Sequence, residues 1–251
     1  MQFIDMHTHL QDKKFIDIDN IIKTSYQKGV KHFVICGTNQ KDWKKVSEIH
    51  ENYKDITTPC FGVHPWFVKY VDKNWKNELN EYLDKYPNAL IGEIGLDRWK
   101  DDVKDEKELQ HEIFSYQYEL AKEKDRAVVI HCIKAWGWLN KYLYKNRVPK
   151  KFMLHSFNGS AEIANKICKF GGYISLSASI LRNSKKERIL NFIPNEQLLI
   201  ETDSPDQSPY KGKINTPENL IMIAKNIAEI KDIDINELAE ITYKNSIGFI
   251  K

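Results

Sequence analysis

Eight short apolar runs alternate with segments of helical periodicity along the whole chain, and this alternation constrains the fold more than any other feature. The strand-like runs fall near 2–6, 31–36, 58–63, 89–93, 127–131, 151–155, 172–176 and 197–201. Helical spacing occupies 17–28, 41–53, 74–86, 105–124, 136–146, 160–170, 184–192, 216–230 and 234–247. The clearest amphipathic stretch places Leu109, Ile113, Tyr116 and Leu120 on one face. Asn236 is the expected cap of the last helix. Strands that alternate with helices build parallel sheets. At 251 residues, eight such strands predict an α/β fold, a (β/α)8 TIM barrel, as a single domain over 1–251. A doubly wound open sheet is the alternative. No repeat, low-complexity tract or Pro/Gly/Ser-rich linker divides the chain.

Composition narrows the functional classes only a little. A hydrophobic content of 41% and a charged content of 29% describe an ordinary globular chain. The net charge of +3 points only weakly to a polyanionic partner. Arginine occurs only at 98, 126, 147, 182 and 188, a lysine-rich skew from which no function follows. The cysteines (36, 60, 132 and 168) form no Cys-x-x-Cys pair, and Cys36, Cys60 and Cys132 are expected as buried thiols. The first residues show neither a basic segment nor an apolar leader, and no apolar run approaches the ~20 residues that span a bilayer. A cytoplasmic protein with no membrane partner is the expectation. No obligate protein partner is evident, and a monomer is the default.

Chemistry concentrates at the strand ends. The run Phe3-Ile4-Asp5-Met6 leads into His7-Thr8-His9, and alternate side chains of a strand share a face. The third run leads into His64, the fourth into Glu93, the fifth into His131 and the sixth into His155. The eighth delivers Glu201 and Asp203. In a barrel these ends meet at one mouth, where active sites are built. His32, His50 and His111 fall at a strand start or on helices and are expected to be structural or surface residues. So many imidazoles with carboxylates exceed the needs of one tetrahedral ion. They suit two divalent ions roughly 3.5–4 Å apart. Glu93, on a middle strand, is the natural carboxylate bridge. Mixed N/O ligation admits Zn, Mn, Co or Fe, and Mg at a carboxylate-rich half-site.

In order along the chain stand Asp5-Met6-His7-Thr8-His9, Gly62-Val63-His64-Pro65 and Gly92-Glu93-Ile94-Gly95-Leu96-Asp97. Ile130-His131-Cys132, His155-Ser156-Phe157-Asn158-Gly159-Ser160, Glu201-Thr202-Asp203-Ser204-Pro205 and Asn215-Thr216-Pro217 complete the series. Over essentially its whole length the chain resembles the TatD family of metal-dependent hydrolases, within the amidohydrolase superfamily. That resemblance implies a TIM-type barrel with a binuclear site at its C-terminal mouth. It implies one ion held by His7, His9, Glu93 and Asp203 and another by Glu93, His131 and His155. Other superfamily branches often carry a carboxylated lysine at strand four, where this chain has Glu93. The implied activity is metal-dependent DNA hydrolysis, chiefly from 3′ ends. Some relatives are described as D-aminoacyl-tRNA deacylases.

Three segments depart from the commonest family pattern. Ile133-Lys134-Ala135-Trp136-Gly137 stands where many relatives have Arg-Asp, and Asp206-Gln207-Ser208-Pro209 follows Asp203 where many have Pro-Tyr. Lysine replaces the usual arginine in Lys211-Gly212-Lys213-Ile214-Asn215, a weaker planar match to phosphate. The expected chemistry is phosphodiester hydrolysis by a metal-activated water, with Asp203 orienting or deprotonating it. His64 is the candidate phosphate contact or proton donor. Arg98 and Lys211 are further candidate phosphate contacts, with a solvated surface charge as the alternative. Trp66, Phe67, Trp99 and Trp136 follow motifs and are candidate stacking platforms for unpaired bases, with core packing as the alternative. A DNase or phosphodiesterase is therefore the first reading. An ester or amide hydrolase such as a D-aminoacyl-tRNA deacylase is second, and a non-catalytic nucleic-acid-binding protein third.

Overall fold

Each apolar run becomes a strand because Val, Ile, Phe and Leu suit a pleated surface buried on both faces. The computed structural model describes Met1–Lys251. Its strands are β1 (Phe3–Thr8), β2 (Val30–Cys36), β3 (Thr57–Phe61), β4 (Leu90–Asp97), β5 (Val128–Ile133), β6 (Phe152–Leu154), β7 (Tyr173–Leu176) and β8 (Leu198–Ile200). They pair in parallel, in sequence order, as one eight-stranded sheet. The sheet returns on itself: Thr8 bridges Ser204, and the Asp203 amide donates to the His7 carbonyl at 2.9 Å. This is the (β/α)8 barrel, and the open-sheet alternative is excluded by that closure.

The long helices are α1 (Ile18–Lys28), α2 (Gln40–Asn52), α3 (Trp75–Lys85), α4 (Lys107–Glu123) and α5 (Trp136–Lys145). They continue with α6 (Ala161–Lys169), α7 (Lys186–Asn191), α8 (Leu220–Lys231) and α9 (Ile235–Ile250). Local chemistry sets their ends. Asn39 and Asp42 form a reciprocal capping box on α2, and Gly29, at φ 113°, closes α1 in the left-handed conformation. The cap of α9 is Asp234 rather than Asn236. The Asp234 carboxylate sits on an extended residue and accepts from the Asn236 amide at 2.7 Å, satisfying a free helix donor. No helix is long and apolar enough to cross a membrane.

Two apolar layers result. A small inner cluster combines strand residues such as Ile4, Val34, Cys60, Val129 and Met153 with Phe249 of α9. Phe249 packs edge-on against Tyr173 at the start of β7, closing the end of the barrel opposite the strand C-termini. The larger cluster lies between strands and helices. All four cysteines are free and buried.

Helix α4 buries a different face from the one its apolar spacing predicts. Ile113 and Leu120 are buried as expected, but Leu109 and Tyr116 are only partly so. Gln110 and Gln117 take the innermost positions, both fully buried. Gln117 Oε1 accepts from the Val63 amide at 2.7 Å, and its Nε2 donates to the Val63 carbonyl at 3.2 Å. Gln110 holds the Asp97 amide at 2.9 Å and donates to the Asp97 carbonyl at 3.1 Å. Two polar side chains thus satisfy backbone groups where β3 and β4 run out, fixing the main chain that carries His64 and Asp97.

Candidate metal centre

The strands that carry the site break their regular register beside it. Irregularities fall between Asp5 and Thr8 on β1 and between Ile91 and Ile94 on β4, a placement common for bulges next to functional sites. β4 continues past Glu93 to Asp97, four residues beyond the predicted strand end. Gly95 allows that passage, because a Cβ there would lie 2.0 Å from the His131 carbonyl oxygen.

Every strand-end histidine and carboxylate in the predicted set reaches one buried cluster. The Nε2 atoms of His7 and His9 lie 3.2 Å apart. Glu93 Oε2 is 3.3 Å from the first and 3.6 Å from the second, and Asp203 Oδ1 is 3.6 and 3.4 Å from them. A tetrahedral ion with bonds of 2.0–2.1 Å has ligand–ligand edges of roughly 3.3 Å. The five distances sit around that value. On its other oxygen, Oε1, Glu93 faces His155 Nε2 at 2.7 Å, His131 Nδ1 at 2.9 Å and His64 Nε2 at 3.2 Å. His131 Nδ1 and His155 Nε2 are 3.0 Å apart. The two oxygens of one carboxylate therefore serve two sets of nitrogen donors.

Hydrogen bonds behind the rings decide which nitrogen is a lone pair. His9 Nδ1 meets the Cys36 carbonyl at 2.7 Å, His131 Nε2 meets Asp97 Oδ2 at 3.3 Å, and His155 Nδ1 meets Glu201 Oε1 at 3.2 Å. With a cation on the near side, each of those acceptors takes the ring's one proton on the far nitrogen, leaving the near nitrogen's lone pair to the cation. His64 is wired the opposite way. Its Nδ1 accepts from the Trp66 amide at 3.0 Å, so its Nε2 carries the proton and acts as a donor. His7 Nδ1 has no partner in the protein.

The charges are those of a cation site. Burial opposes ionisation of Glu93, yet the surrounding His155, His64 and His7 hold it well below the usual carboxylate range. Burial also opposes charge on His9, but hydrogen bonding to Asp203 and the field of Glu93 lift it to about 9. His131 and His155 are raised in the same way against burial, by their carboxylate partners. A proton is the smallest cation, and metal binding must displace such protons. Buried His64 is pushed down to about 4 despite Glu93, which keeps its ring neutral near pH 7.

Three carboxylates stand behind the cluster; the strand-end pattern marks Glu201, while Asp97 and Asp5 carry no such signal. Asp97 accepts from Trp66 Nε1 at 2.7 Å and from the Trp99 and Lys100 amides at 2.7 and 3.0 Å while backing His131. Glu201 accepts from the Ser156 amide at 2.5 Å as well as backing His155. Asp5 is turned to Thr202, accepting from its amide at 2.9 Å and its hydroxyl at 2.5 Å, and burial raises its carboxyl to about 8. Motif membership singled out Asp97 and Glu201, but only the geometry gives them a task.

The candidate substrate residues separate. Arg98 is not brought to the cluster: its guanidinium lies on His111 at 2.9 Å and reaches the Lys104 carbonyl at 3.4 Å, because its side chain leaves β4 on the helix side. Lys211 stands exposed in the connection after β8. Trp66 is half-buried beside His64, with Lys100 Nζ 3.7 Å over its ring, and Trp99 is exposed. Phe67 is half-buried, and Trp136 packs on Phe157. His32 and His50 bond to Thr58 and Thr57 and stand apart from the cluster, as does His111.

A family model described as TatD related DNase matches residues 4–251. The chain belongs to the TatD family of metal-dependent hydrolases. An uncharacterised metal-dependent hydrolase of Methanocaldococcus jannaschii is 31% identical over 254 residues, covering 100% of this chain and 98% of that protein. The human protein named deoxyribonuclease TATDN3 is 28% identical, covering 97% of this chain and 93% of its own. The crystal structure of the TatD homologue YjjV from Escherichia coli superimposes with a TM-score of 0.88 at 26% identity, covering 98% of this chain and 97% of that one. A TatD-family barrel with histidines and carboxylates converging at its mouth accounts for every strand-end motif.

Proposed function

We propose that this TatD-family hydrolase is a two-metal phosphodiesterase acting on DNA ends, releasing nucleotides from the 3′ terminus. The observation that carries the reading is the division of Glu93, with Oε2 facing His7 and His9 and Oε1 facing His131 and His155. A carboxylate bridging two cations has that arrangement. His7, His9, Asp203 and Glu93 would hold one ion, and His131, His155 and Glu93 the other. Divalent ions held there supply Lewis-acid polarisation of a phosphoryl group and a water acidic enough to attack near neutral pH.

The chain's own groups do the rest. Asp203 is an anion through its contacts with the imidazoles and can orient an attacking water by its free lone pairs. His64 presents a neutral Nε2–H toward the centre, suited to donate to a phosphoryl or leaving oxygen but not to ligate. Half-exposed Trp66, beside His64 and with the Lys100 ammonium 3.7 Å over its ring, offers stacking surface and charge to an unpaired end, and exposed Trp99 is a further candidate platform.

A panel of 3′-labelled single-stranded DNA, duplex DNA and a D-aminoacyl-tRNA, each with added Mg or Mn and with chelator, tests the reading. Cation-dependent release of mononucleotides from DNA is expected. Deacylation of the tRNA without DNA cleavage, or DNA cleavage that persists after exhaustive metal removal, would overturn it.

A further inference from the structure

Asp203 is held by a side chain that lies in the segment where this chain departs from its family. Gln207 Nε2 donates to Asp203 Oδ2, while Gln207 Oε1 accepts from Ser177 Oγ at 2.6 Å and Ser156 Oγ at 2.8 Å. The amide orientation is forced, because an ionised carboxylate can only accept and the two hydroxyls have protons to give. Ser179 Oγ completes the group, 2.9 Å from Ser177 Oγ and 3.3 Å from Ser156 Oγ. With Oδ2 occupied, the oxygen that Asp203 turns to His7 and His9 is Oδ1.

The backbone is committed to this arrangement. Ser156, Asp203 and Gln207 all adopt positive φ, at 43°, 57° and 54°, a region non-glycine residues rarely occupy and which collects at functional sites. The turn is pinned from outside as well. The Asp206 amide donates to the Asp203 carbonyl at 2.9 Å, and Asn215 Nδ2 holds the Asp206 carbonyl at 2.9 Å and the Thr202 carbonyl at 2.8 Å. Ser156 directly follows His155, so the same network joins the loop after β6 to the loop after β8.

We infer that Gln207 is a positioning residue: together with Ser156 and Ser177 it fixes Asp203 as a one-oxygen ligand, Oδ1 toward the ion on His7 and His9. This rests on the two-ion reading of the site. A partner of this kind behind a ligand is worth 10–100-fold in metal affinity. The effect falls on one ion, because Gln207 touches none of His131, His155 or Glu93. Removing a hydroxyl that orients the amide acts through Gln207, so it costs little once Gln207 is gone.

The test is Co(II) titration of the full chain, followed by visible absorption and calorimetry, for the unaltered protein, Gln207→Ala, the similarly shaped Gln207→Met, Ser177→Ala and the Gln207→Ala/Ser177→Ala pair. Expected are two ions in the unaltered protein and a 10–100-fold weaker site with an altered spectrum in both Gln207 variants. The other ion should keep its affinity, and the double variant should be no worse than Gln207→Ala. If the unaltered protein binds two ions and both Gln207 variants titrate identically to it, the inference falls and the site reading stands. If the unaltered protein binds fewer than two, the site reading falls and takes the inference with it. Equal weakening of both ions would also overturn the inference, since it marks a general loss of structure.

Discussion

Asp97→Asn changes one atom and should disable half of the centre. Asp97 Oδ1 receives the Trp99 and Lys100 amides, and Oδ2 receives Trp66 Nε1 and His131 Nε2. All four partners offer hydrogens, so asparagine must aim its NH₂ at donors whichever way it sits. With NH₂ in the Oδ2 place, His131 Nε2 has to become the acceptor and the ring proton moves to Nδ1, the atom facing Glu93. That nitrogen can then no longer ligate. The expected loss is 10–100-fold in affinity for the ion on His131 and His155, about 1.4–2.8 kcal/mol. With NH₂ in the Oδ1 place, the part-buried Trp99 and Lys100 amides lose their acceptor, and stability falls by less than the roughly 1–3 kcal/mol that each would cost if fully buried. Metal titration beside urea unfolding reads both outcomes. Unchanged affinity for both ions together with unchanged stability would refute the tautomer argument.

Three further outcomes follow from the same geometry. His64→Ala should lower kcat by ~10²-fold or more, as loss of a proton donor does, while metal content stays intact because the Nε2 proton excludes ligation; loss of an ion would reverse that assignment. His32 has its imidazole lowered by burial and by His50 to about 4, so the folded chain binds that proton more weakly than the unfolded chain; its contribution, about 3 kcal/mol at most, is complete above about pH 6.5 and lost as the pH falls through about 4. The stability difference between the unaltered protein and His32→Gln should therefore change across that window, and a pH-independent difference would refute it. Gln117→Leu should cost about 1–3 kcal/mol in urea unfolding by orphaning the Val63 amide, and a neutral result would remove the glutamine from the role given it beside His64.

The barrel and the cluster were legible because both rest on periodic or terminal signals. Apolar strand runs announce a buried parallel sheet, and a histidine or carboxylate at a strand end stands out against them, as His131 does after Ile130. Behind the cluster, only Glu201 was legible, by its strand-end place. Asp97 reads as a loop residue when β4 is ended at Glu93, and only the extended strand brings it under His131. The ring of His9 is oriented by the carbonyl of Cys36, and a main-chain acceptor leaves no mark on residue type. Gln110 and Gln117 break the apolar count on α4 because they serve backbone groups that only the tertiary fold exposes. Arg98 is a candidate phosphate contact by its place after a motif, but strand direction alone cannot tell which face an arginine leaves by, and it goes to His111.

The central claim is that Glu93 bridges two cations, and metal content per folded chain tests it most directly. The unaltered protein, Glu93→Gln and Glu93→Ala should be reconstituted with Mn or Co, freed of excess ion and assayed for metal beside thermal unfolding and turnover. Two ions are expected in the unaltered chain. In Glu93→Ala both should be lost, or one left loosely held, while Glu93→Gln, nearly unchanged in shape but without the charge that offsets two cations, should lose activity by orders of magnitude. A folded Glu93→Gln or Glu93→Ala chain with two ions and normal turnover would contradict the account.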